Sequence, residues 1–506
     1  MTDGAAGTAS ASQREVFGHP RGLYTLFFTE MWERLSYYGM RALLVLFMTD
    51  QVMDGGGMGL DDQSATAIYG IYTALVYLSA LPGGWIADRL LGAQRAIFVG
   101  GTIIMCGHFV LAIPSTQAFF IGLLLVVSGT GLLKPNVSAV VGELYPPHDA
   151  RRDGGFSIFY MGINVGALLG PLVCGTLGQS PSFGWHWGFA AAGVGMMCGL
   201  IQYRLTRRYL GDAGLHPTES GNAAIDARKR RLGWIVVGAG VAVIVLVTVL
   251  GITGLVDLHP VEVSEQSTKF IVGVFVAFFA YVLLLGKLTS DEKKRTIALI
   301  VLFLGCAMFW AGFEQAGSSL NLFADRYTQL DFSWLSIRST WFQSVNSFFI
   351  IIFAPVFAWL WVALAKRNLN PSTPAKFGIG LVLLAGGFLV MVGASEVVVH
   401  GHLAAPTWLI MTYLLHTFGE LALSPVGLSV TTKLAPHRYV GQMMGMWFLA
   451  TSLGNLIAGQ IAGEFDAENI AAFPHQYMSI VYTAGGAGLV MLILSKPITK
   501  LMRGVD

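Results

Sequence analysis

The chain has 506 residues, 54% of them apolar and only 12% charged, against roughly 25% charged in an ordinary soluble domain. A membrane-spanning helix takes about 20 mostly apolar residues, so about 270 apolar residues would fill on the order of fourteen spans, which excludes both a soluble domain and a single-anchor protein. The net charge of +2, from 31 Lys and Arg against 29 Asp and Glu, carries no bias towards nucleic acid.

Residues 1–23 are mostly small and polar. They lack the charged start and apolar run of a signal peptide and are expected to form a disordered cytosolic tail. Long apolar runs follow at 24–48, 64–87, 96–113, 118–142, 156–178, 186–206, 233–253, 270–288, 296–318, 340–364, 377–395, 406–430, 441–462 and 478–495. Because they are continuous rather than alternating, and lipid requires each backbone group to be satisfied within its segment, they predict helices and not a barrel. Cys106, Cys174, Cys198 and Cys306 fall inside these runs without C-x-x-C or zinc-type spacing, so neither a disulfide nor a metal site is expected.

An even number of spans puts both termini on one side, and Lys and Arg in short loops are retained in the cytoplasm. The termini and alternate loops hold 25 of the 31 basic residues, among them Arg89, Arg95, Arg151, Arg152, Arg228 to Arg231, Lys293 to Arg295, Lys366 and Arg367. The opposite loops hold Lys269, Arg326 and Arg338, and are acidic through Asp50, Asp54, Asp61, Asp62, Glu464, Asp466 and Glu468. Both termini are therefore expected in the cytoplasm. Arg34, Arg41 and Lys134 complete the count inside predicted helices.

An internal repeat aligns LKPNVSAVVGELYPPH, from Leu133 to His148, without a gap on LSPVGLSVTTKLAPHR from Leu423 to Arg438. Two homologous six-helix halves, the parallel repeat of the major facilitator architecture, account for it. The expected organisation is then a tail at 1–23, an N-terminal six-helix bundle at 24–208, a basic connector with two inserted helices at 209–293, and a C-terminal bundle and tail at 294–506. The inserted helices carry almost no intramembrane charge, which suits packing or anchoring.

The chemistry lies in charges that interrupt the apolar runs. Glu30, Glu33, Arg34, Tyr37 and Arg41 follow steps of three and four and share one helix face. A charge at bilayer depth costs about 2.5–3.5 kcal/mol, so such a face must look into protein or water, either as transport machinery or as a structural ion-pair network. Lys134 precedes Pro135, which removes a backbone hydrogen bond. Glu314 and Glu420 lie deep in apolar runs. Four carboxylates thus face three cations, Arg34, Arg41 and Lys134, and one proton bound somewhere in this coupled set would balance them.

Tyr77, Asn164, Trp310, Asn346, Trp447 and Thr451 accompany these charges. The combination suits a zwitterion whose amino end takes a carboxylate and whose carboxylate takes a cation. His416, four residues before Glu420, reads either as a relay or metal partner or as a satisfied core histidine; His108 has no ionisable neighbour at helical spacing. In GGWIADRLLGAQR, Gly83 to Arg95, the small residues permit close helix approach, and Asp88 can pair with Arg89, Arg95 or a helix terminus as a conformational latch.

Three elements together resemble the proton-dependent oligopeptide transporter family of the major facilitator superfamily: E-x-x-E-R at Glu30 to Arg34, G-G-x-x-x-D-x-x-x-G at Gly83 to Gly92, and FSIFYMGINVGAL at Phe156 to Leu168. The resemblance spans nearly the whole chain. It implies an all-α membrane protein of the major facilitator fold, two six-helix bundles plus two extra helices, importing di- and tripeptides with protons by alternating access. By the same resemblance Glu30, Glu33, Arg34, Lys134 and Glu314 serve proton coupling, and Lys134–Glu420 and Arg41–Glu314 are pairs that break and form during transport, joined in gating by Asp88. The peptide amino end would fall to Asn164, Asn346 and Glu420, its carboxylate to Arg41 and Lys134. Tyr37, Tyr38, Tyr77, Trp310 and Trp447 would line side-chain pockets, with Thr451 where a Ser is common and Leu35 where many members have Phe.

No metal, cofactor, nucleic acid or obligate protein partner is expected, and the setting implied is a bacterial inner membrane. The competing readings are a facilitator of another small solute, such as nitrate or a drug, and an intramembrane enzyme or channel. H-E-x-x-H, G-x-S-x-G, Walker-type and potassium-filter motifs are all missing from the sequence.

Overall fold

The computed structural model describes residues 15–52, 56–146, 148–218, 222–255, 258–465 and 469–503. Residues 1–14 of the expected tail, and Asp54, Asp466 and Glu468 of the acidic loops, lie outside the described residues, as does the side chain of Pro425. Helices of membrane length follow one another as α1 (Arg21–Thr49), α2 (Asp62–Leu91), α3 (Ala93–Leu111), α4 (Thr116–Glu143), α5 (Arg152–Gly178), α6 (Trp185–Thr206) and α7 (Ala223–Ile252). They continue as α8 (Pro260–Leu285), α9 (Ser290–Tyr327), α10 (Ser339–Lys366), α11 (Thr373–Val399), α12 (Pro406–Leu434), α13 (Val440–Gly463) and α14 (Ile470–Ile493), before a short α15 (Ser495–Met502). Among the described residues, 10 of these are both long and apolar enough to cross a membrane. α1, α6, α12 and α13 have the length without meeting that measure; α1 carries Arg21, Glu30, Glu33, Arg34 and Arg41.

The helices coincide with the apolar runs, and the largest shifts are at α7, which starts at Ala223 rather than near 233, and α8, which starts at Pro260 rather than near 270. Asn222 caps α7, its side-chain oxygen accepting from the amides of Ala224 and Ile225 at 3.1 and 3.3 Å. Ala, Arg and Lys propagate helix well, so the basic end of the connector winds up as helix. Two helices are locally irregular. α2 ends in a π turn at Ala87–Leu91. Within α9 a 3₁₀ turn at Glu314–Gly317 joins Ser290–Phe313 to Ser319–Tyr327.

The chain forms two compact units. The first comprises Met1–Met40, Ser79–Gly178 and His186–Asp257. Its core gathers Leu23, Leu26, Ile97, Ile104, Leu133, Val137, Phe159 and Met196. Helices in lipid gain little from burying apolar surface and associate instead where small residues let backbones approach. α5 presents Gly162, Gly166 and Gly170 at four-residue intervals, one ridge of the helix, directly to α1. A Cβ on Gly162 would lie 2.9 Å from the Phe27 carbonyl oxygen, one on Gly166 would run into the Met31 carbonyl, and one on Gly170 would stand 2.7 Å from the Gly39 nitrogen. The motif FSIFYMGINVGAL is thus a docking ridge for the charged helix.

The end of the expected tail is ordered rather than disordered. Glu15–Val16 (β1) and His19–Pro20 (β2) form an antiparallel hairpin. Its two turn residues, Phe17 and Gly18, have φ of 49° and 77°, the positive-φ pair of a tight I′ turn. Arg151, in the α4–α5 loop, donates to Glu15 at 2.6 Å, to the Gly18 carbonyl at 3.1 Å and to Asp149 at 2.8 Å. Those bonds hold the Asp149 carboxyl below its ordinary value. His19 Nδ1 lies 2.9 Å from the Tyr145 hydroxyl. Composition alone missed this because the stabilising partners lie more than a hundred residues away.

The second unit comprises Arg41–Leu78, Gln179–Trp185 and Leu258–Asp506. An aromatic core of Phe303, Phe309, Phe377, Phe388, Trp447 and Tyr477 runs through it. α9 opens with a capping box, the Thr289 hydroxyl accepting from the Glu292 amide while the Glu292 carboxylate accepts from the Thr289 amide. At the other end of α9, Arg326 holds Asp62 of α2 through two bonds of 2.6 and 2.8 Å. Gln179 donates to Asp325 and to the Ser339 hydroxyl and accepts from the Thr340 hydroxyl.

Replacing Gly166 by Leu should lower the thermal unfolding temperature of the detergent-solubilised protein strongly, because overpacking costs about 1–3 kcal/mol or more and here the obstruction is backbone. Gly166→Ala is expected to cost less, and a Leu variant as stable as the parent would disprove the ridge.

Candidate functional site

In the first unit the charged face of α1 is buried. Arg34 Nε donates to Glu30 Oε1 at 3.1 Å and to Glu33 Oε2, with all three side chains at most 3% exposed. Its guanidinium also lies over the rings of Tyr37 and Tyr38, 5.2 and 5.9 Å from their centres, the position in which a ring face attracts a cation. The arrangement follows from helix geometry, since steps of one, three and four residues around Arg34 bring both acids and both rings within its reach. Three polar atoms in this cluster, Glu30 Oε2, Glu33 Oε1 and Arg34 Nη2, have no hydrogen-bond partner among the described residues. Lys134, half-buried on α4, acts electrostatically on Glu30. Asn164 is buried on α5, and its amide donates to the Tyr160 carbonyl at 2.9 Å.

In the second unit Arg41 Nη2 donates to Glu314 Oε2 at 2.5 Å, and Arg41 Nε donates to the Tyr69 hydroxyl at 2.6 Å. Both charged side chains are buried. The 3₁₀ turn positions Glu314, and Gly317 closes that turn where Tyr69 presses in; a Cβ there would overlap the phenol. Gln315 fixes the turn further, its amide donating to the Ala458 carbonyl at 3.0 Å and its oxygen accepting from Ser319 at 2.6 Å. Glu420 Oε2 accepts from the Asn346 amide at 3.1 Å, and the same amide contacts the Thr417 hydroxyl at 3.0 Å.

Among the aromatic candidates, Trp447 is packed between Phe303 and Phe377, with ring centres 5.8 and 6.4 Å away. Trp310 packs against Phe309 and Phe313. The Thr451 hydroxyl donates to the Trp447 carbonyl at 3.2 Å, and Tyr77 is half-buried on α2. Asp88 is exposed in the π turn and makes no ion pair among the described residues. Backbone bonds hold that corner instead, from Gly92 to Ala87 and from Thr218 to Asp88. His416 is the core histidine of the two readings. Its Nε2 lies 3.2 Å from the Leu384 carbonyl, its ring stands 4.9 Å from that of Phe388, and it makes no bond to Glu420 among the described residues.

Tyr69 was not singled out by the sequence, although its hydroxyl accepts from Arg41. A tyrosine within an apolar helix is a weak sign by itself, and only the pairing of α2 with α1 reveals it. Among the described residues no group of three or more His, Cys, Asp and Glu is arranged to hold a metal ion.

The chain is similar to known proteins along nearly its whole length. The POT family model matches residues 94–478. The chain is 43% identical, over 99% of its own length and 98% of the relative's, to the peptide transporter YePEPT of Yersinia enterocolitica subsp. palearctica serotype O:3 (strain YE-P4). It is 39% identical to the di-/tripeptide transporter of Lactococcus lactis subsp. cremoris, over 98% of this chain and 99% of that protein. Among solved structures, a crystal structure of peptide transporter POT in complex with sulfate superposes with a TM-score of 0.88 at 44% identity, covering 97% of this chain and 98% of that one.

Breaking one side of a buried ion pair is expected to cost about 3–5 kcal/mol, far more than removing both charges. Arg41→Met should therefore destabilise the protein in thermal unfolding, and Arg41→Met combined with Glu314→Gln should recover part of the loss. Tyr69→Phe, which leaves Arg41 Nε without its acceptor, should cost about 1–3 kcal/mol. Additive effects of the two charge substitutions would refute the pair.

Proposed function

The chain belongs to the POT family, and on that premise we propose that it imports di- and tripeptides together with protons by alternating access. The observation that carries the reading is the buried, nearly balanced charge set on membrane-length helices, in a chain similar along its whole length to peptide transporters. A dipeptide is a zwitterion, so a site of this kind must supply both signs of charge in a low-dielectric setting.

Roles divide along the charges. Glu30, Glu33, Arg34, Lys134 and Glu314 form the proton-coupling set; Arg41 and Lys134 meet the peptide carboxylate, and Glu420 with Asn346 and Asn164 meets its amino end. Tyr37, Tyr38, Tyr77, Trp310, Trp447 and Thr451 shape the side-chain pockets, and Arg41–Glu314, Lys134–Glu420 and Asp88 act in gating. The two-bundle organisation with an inserted helix pair at 209–293 belongs to the same proposal, as do the cytoplasmic termini, the bacterial plasma membrane and the lack of enzymatic activity or cofactor.

Within this charge set, Glu30 and Glu33 stand with Arg34 and Lys134 in the first unit, and Glu314 and Glu420 with Arg41 in the second. Arg41 pairs with Glu314, and Glu420 receives an amide. An amide donor accommodates either protonation state of a carboxyl group. The proton belongs to the coupled set of four carboxylates rather than to one residue.

The energetics suffice. One charge moved through about 100 mV supplies about 2.3 kcal/mol, which sustains roughly a 50-fold gradient of a neutral peptide at about 1.4 kcal/mol per tenfold.

Purified protein in liposomes should accumulate a labelled dipeptide when an inward proton gradient or an inside-negative voltage is imposed, each separately. No driven accumulation under either would overturn symport. Glu33→Gln should abolish driven accumulation while peptide exchange persists, and a variant that still concentrates peptide would remove Glu33 from the coupling set.

A further inference from the structure

We propose that the end of α7 around Arg228 to Arg231, together with the π-turn corner of α2, is a binding site for an anionic phospholipid. α7 is the least enclosed of the long helices of the first unit: only 6% of its most apolar window is buried. Its first three turns are helical and exposed, and they carry Arg228, Lys229, Arg230 and Arg231, none of which makes an ion pair among the described residues. The chain then turns apolar at once. Leu232 is 60% exposed, Trp234 51% and Ile235 58%.

This helix packs against the α2 π turn. Gly233 meets Leu90 of the α2 π turn closely enough that a Cβ would come 2.7 Å from the Leu90 side chain. Leu90 is flanked by Arg89, itself exposed, whose guanidinium lies 5.4 Å from the centre of the Trp85 ring. Gly233 comes just after the four bases of α7, so the contact brings that basic end to the corner that carries Arg89 and Trp85. The acids nearest in sequence are Asp88 and Asp226, too few to neutralise these bases.

The two-part character of the surface identifies the ligand class. A collar of four consecutive bases surrounds the helix, since steps of 100° spread them around its axis. Arg230 and Trp234 stand one turn apart on one side, and Arg228, Arg231 and Ile235 on another. Such a surface offers charge to a phosphate group and, immediately below, apolar side chains to acyl chains, while the indole rings suit the boundary between them. A free anion would use only the first part and a neutral lipid only the second. The inserted helix thereby gains a role: it holds an acidic lipid against the short loop between α2 and α3.

Native mass spectrometry of the purified protein in mixed micelles tests this with phosphatidylglycerol and phosphatidylcholine as probes. The parent should retain phosphatidylglycerol preferentially. Arg230→Gln with Arg231→Gln, which keeps Arg228 and Lys229 to preserve topology, should cut that preference several-fold. Trp234→Ala should lower retention of both lipids. Lys366→Gln with Arg367→Gln, at the end of α10, should change neither. Equal retention of the two lipids by the parent, an unchanged preference in the Arg230/Arg231 variant, or complete displacement by millimolar inorganic phosphate would overturn the proposal. Because lipid retention is read independently of peptide uptake, its failure leaves the transport reading standing.

Discussion

The hydrocarbon interior of a bilayer solvates neither a charge nor an unpaired peptide group, and nearly every feature of this protein answers to that constraint. It makes each span a helix. It also forces charges that cannot be avoided into mutual contact. Arg34 therefore takes two carboxylates from its own helix, and Arg41 takes one carboxylate and one phenol from two other helices. The first arrangement is local and survives any motion of α1. The second draws its three side chains from α1, α2 and α9.

Close packing of the charged helix follows from the same physics. With no gain from apolar burial between lipid-facing helices, α1 is held by proximity, and the Gly162, Gly166 and Gly170 ridge supplies it. A side chain at Gly166 would meet not only the Met31 backbone but also Arg34 Cβ. The ridge thus sets the height and rotation of the ion-pair cluster as well as the spacing of two helices. Precision in the site is delegated to residues that have no chemistry of their own.

Much of this was legible in the sequence because lipid imposes strong patterns. Continuous apolar runs located the helices, and steps of three and four put Glu30, Glu33 and Arg34 on one face. Membership of the POT family agrees with the resemblance carried by those residues. What escaped the sequence was tertiary. Tyr69 meets Arg41 across 28 positions, and the hairpin at Glu15–Pro20 relies on Arg151. The glycine spacing on α5 was visible as a family motif, but its partner was not. The packing of Trp447 between Phe303 and Phe377 was likewise not legible, because those partners lie far from it in the chain.

The 3₁₀ turn inside α9 has a mechanical consequence. A 3₁₀ turn rises about 2.0 Å and rotates about 120° per residue, against about 1.5 Å and 100° in an α-helix. Over the four residues Glu314–Gly317 the difference accumulates to about 2 Å of length and about 80° of rotation. Arg326, farther along the same helix, grips Asp62 in the phase this turn imposes. Rewinding the turn as α-helix would carry Arg326 through that angle relative to Glu314. The two ion pairs of α9 therefore lie on either side of a joint made by this turn and the non-helical Ser318.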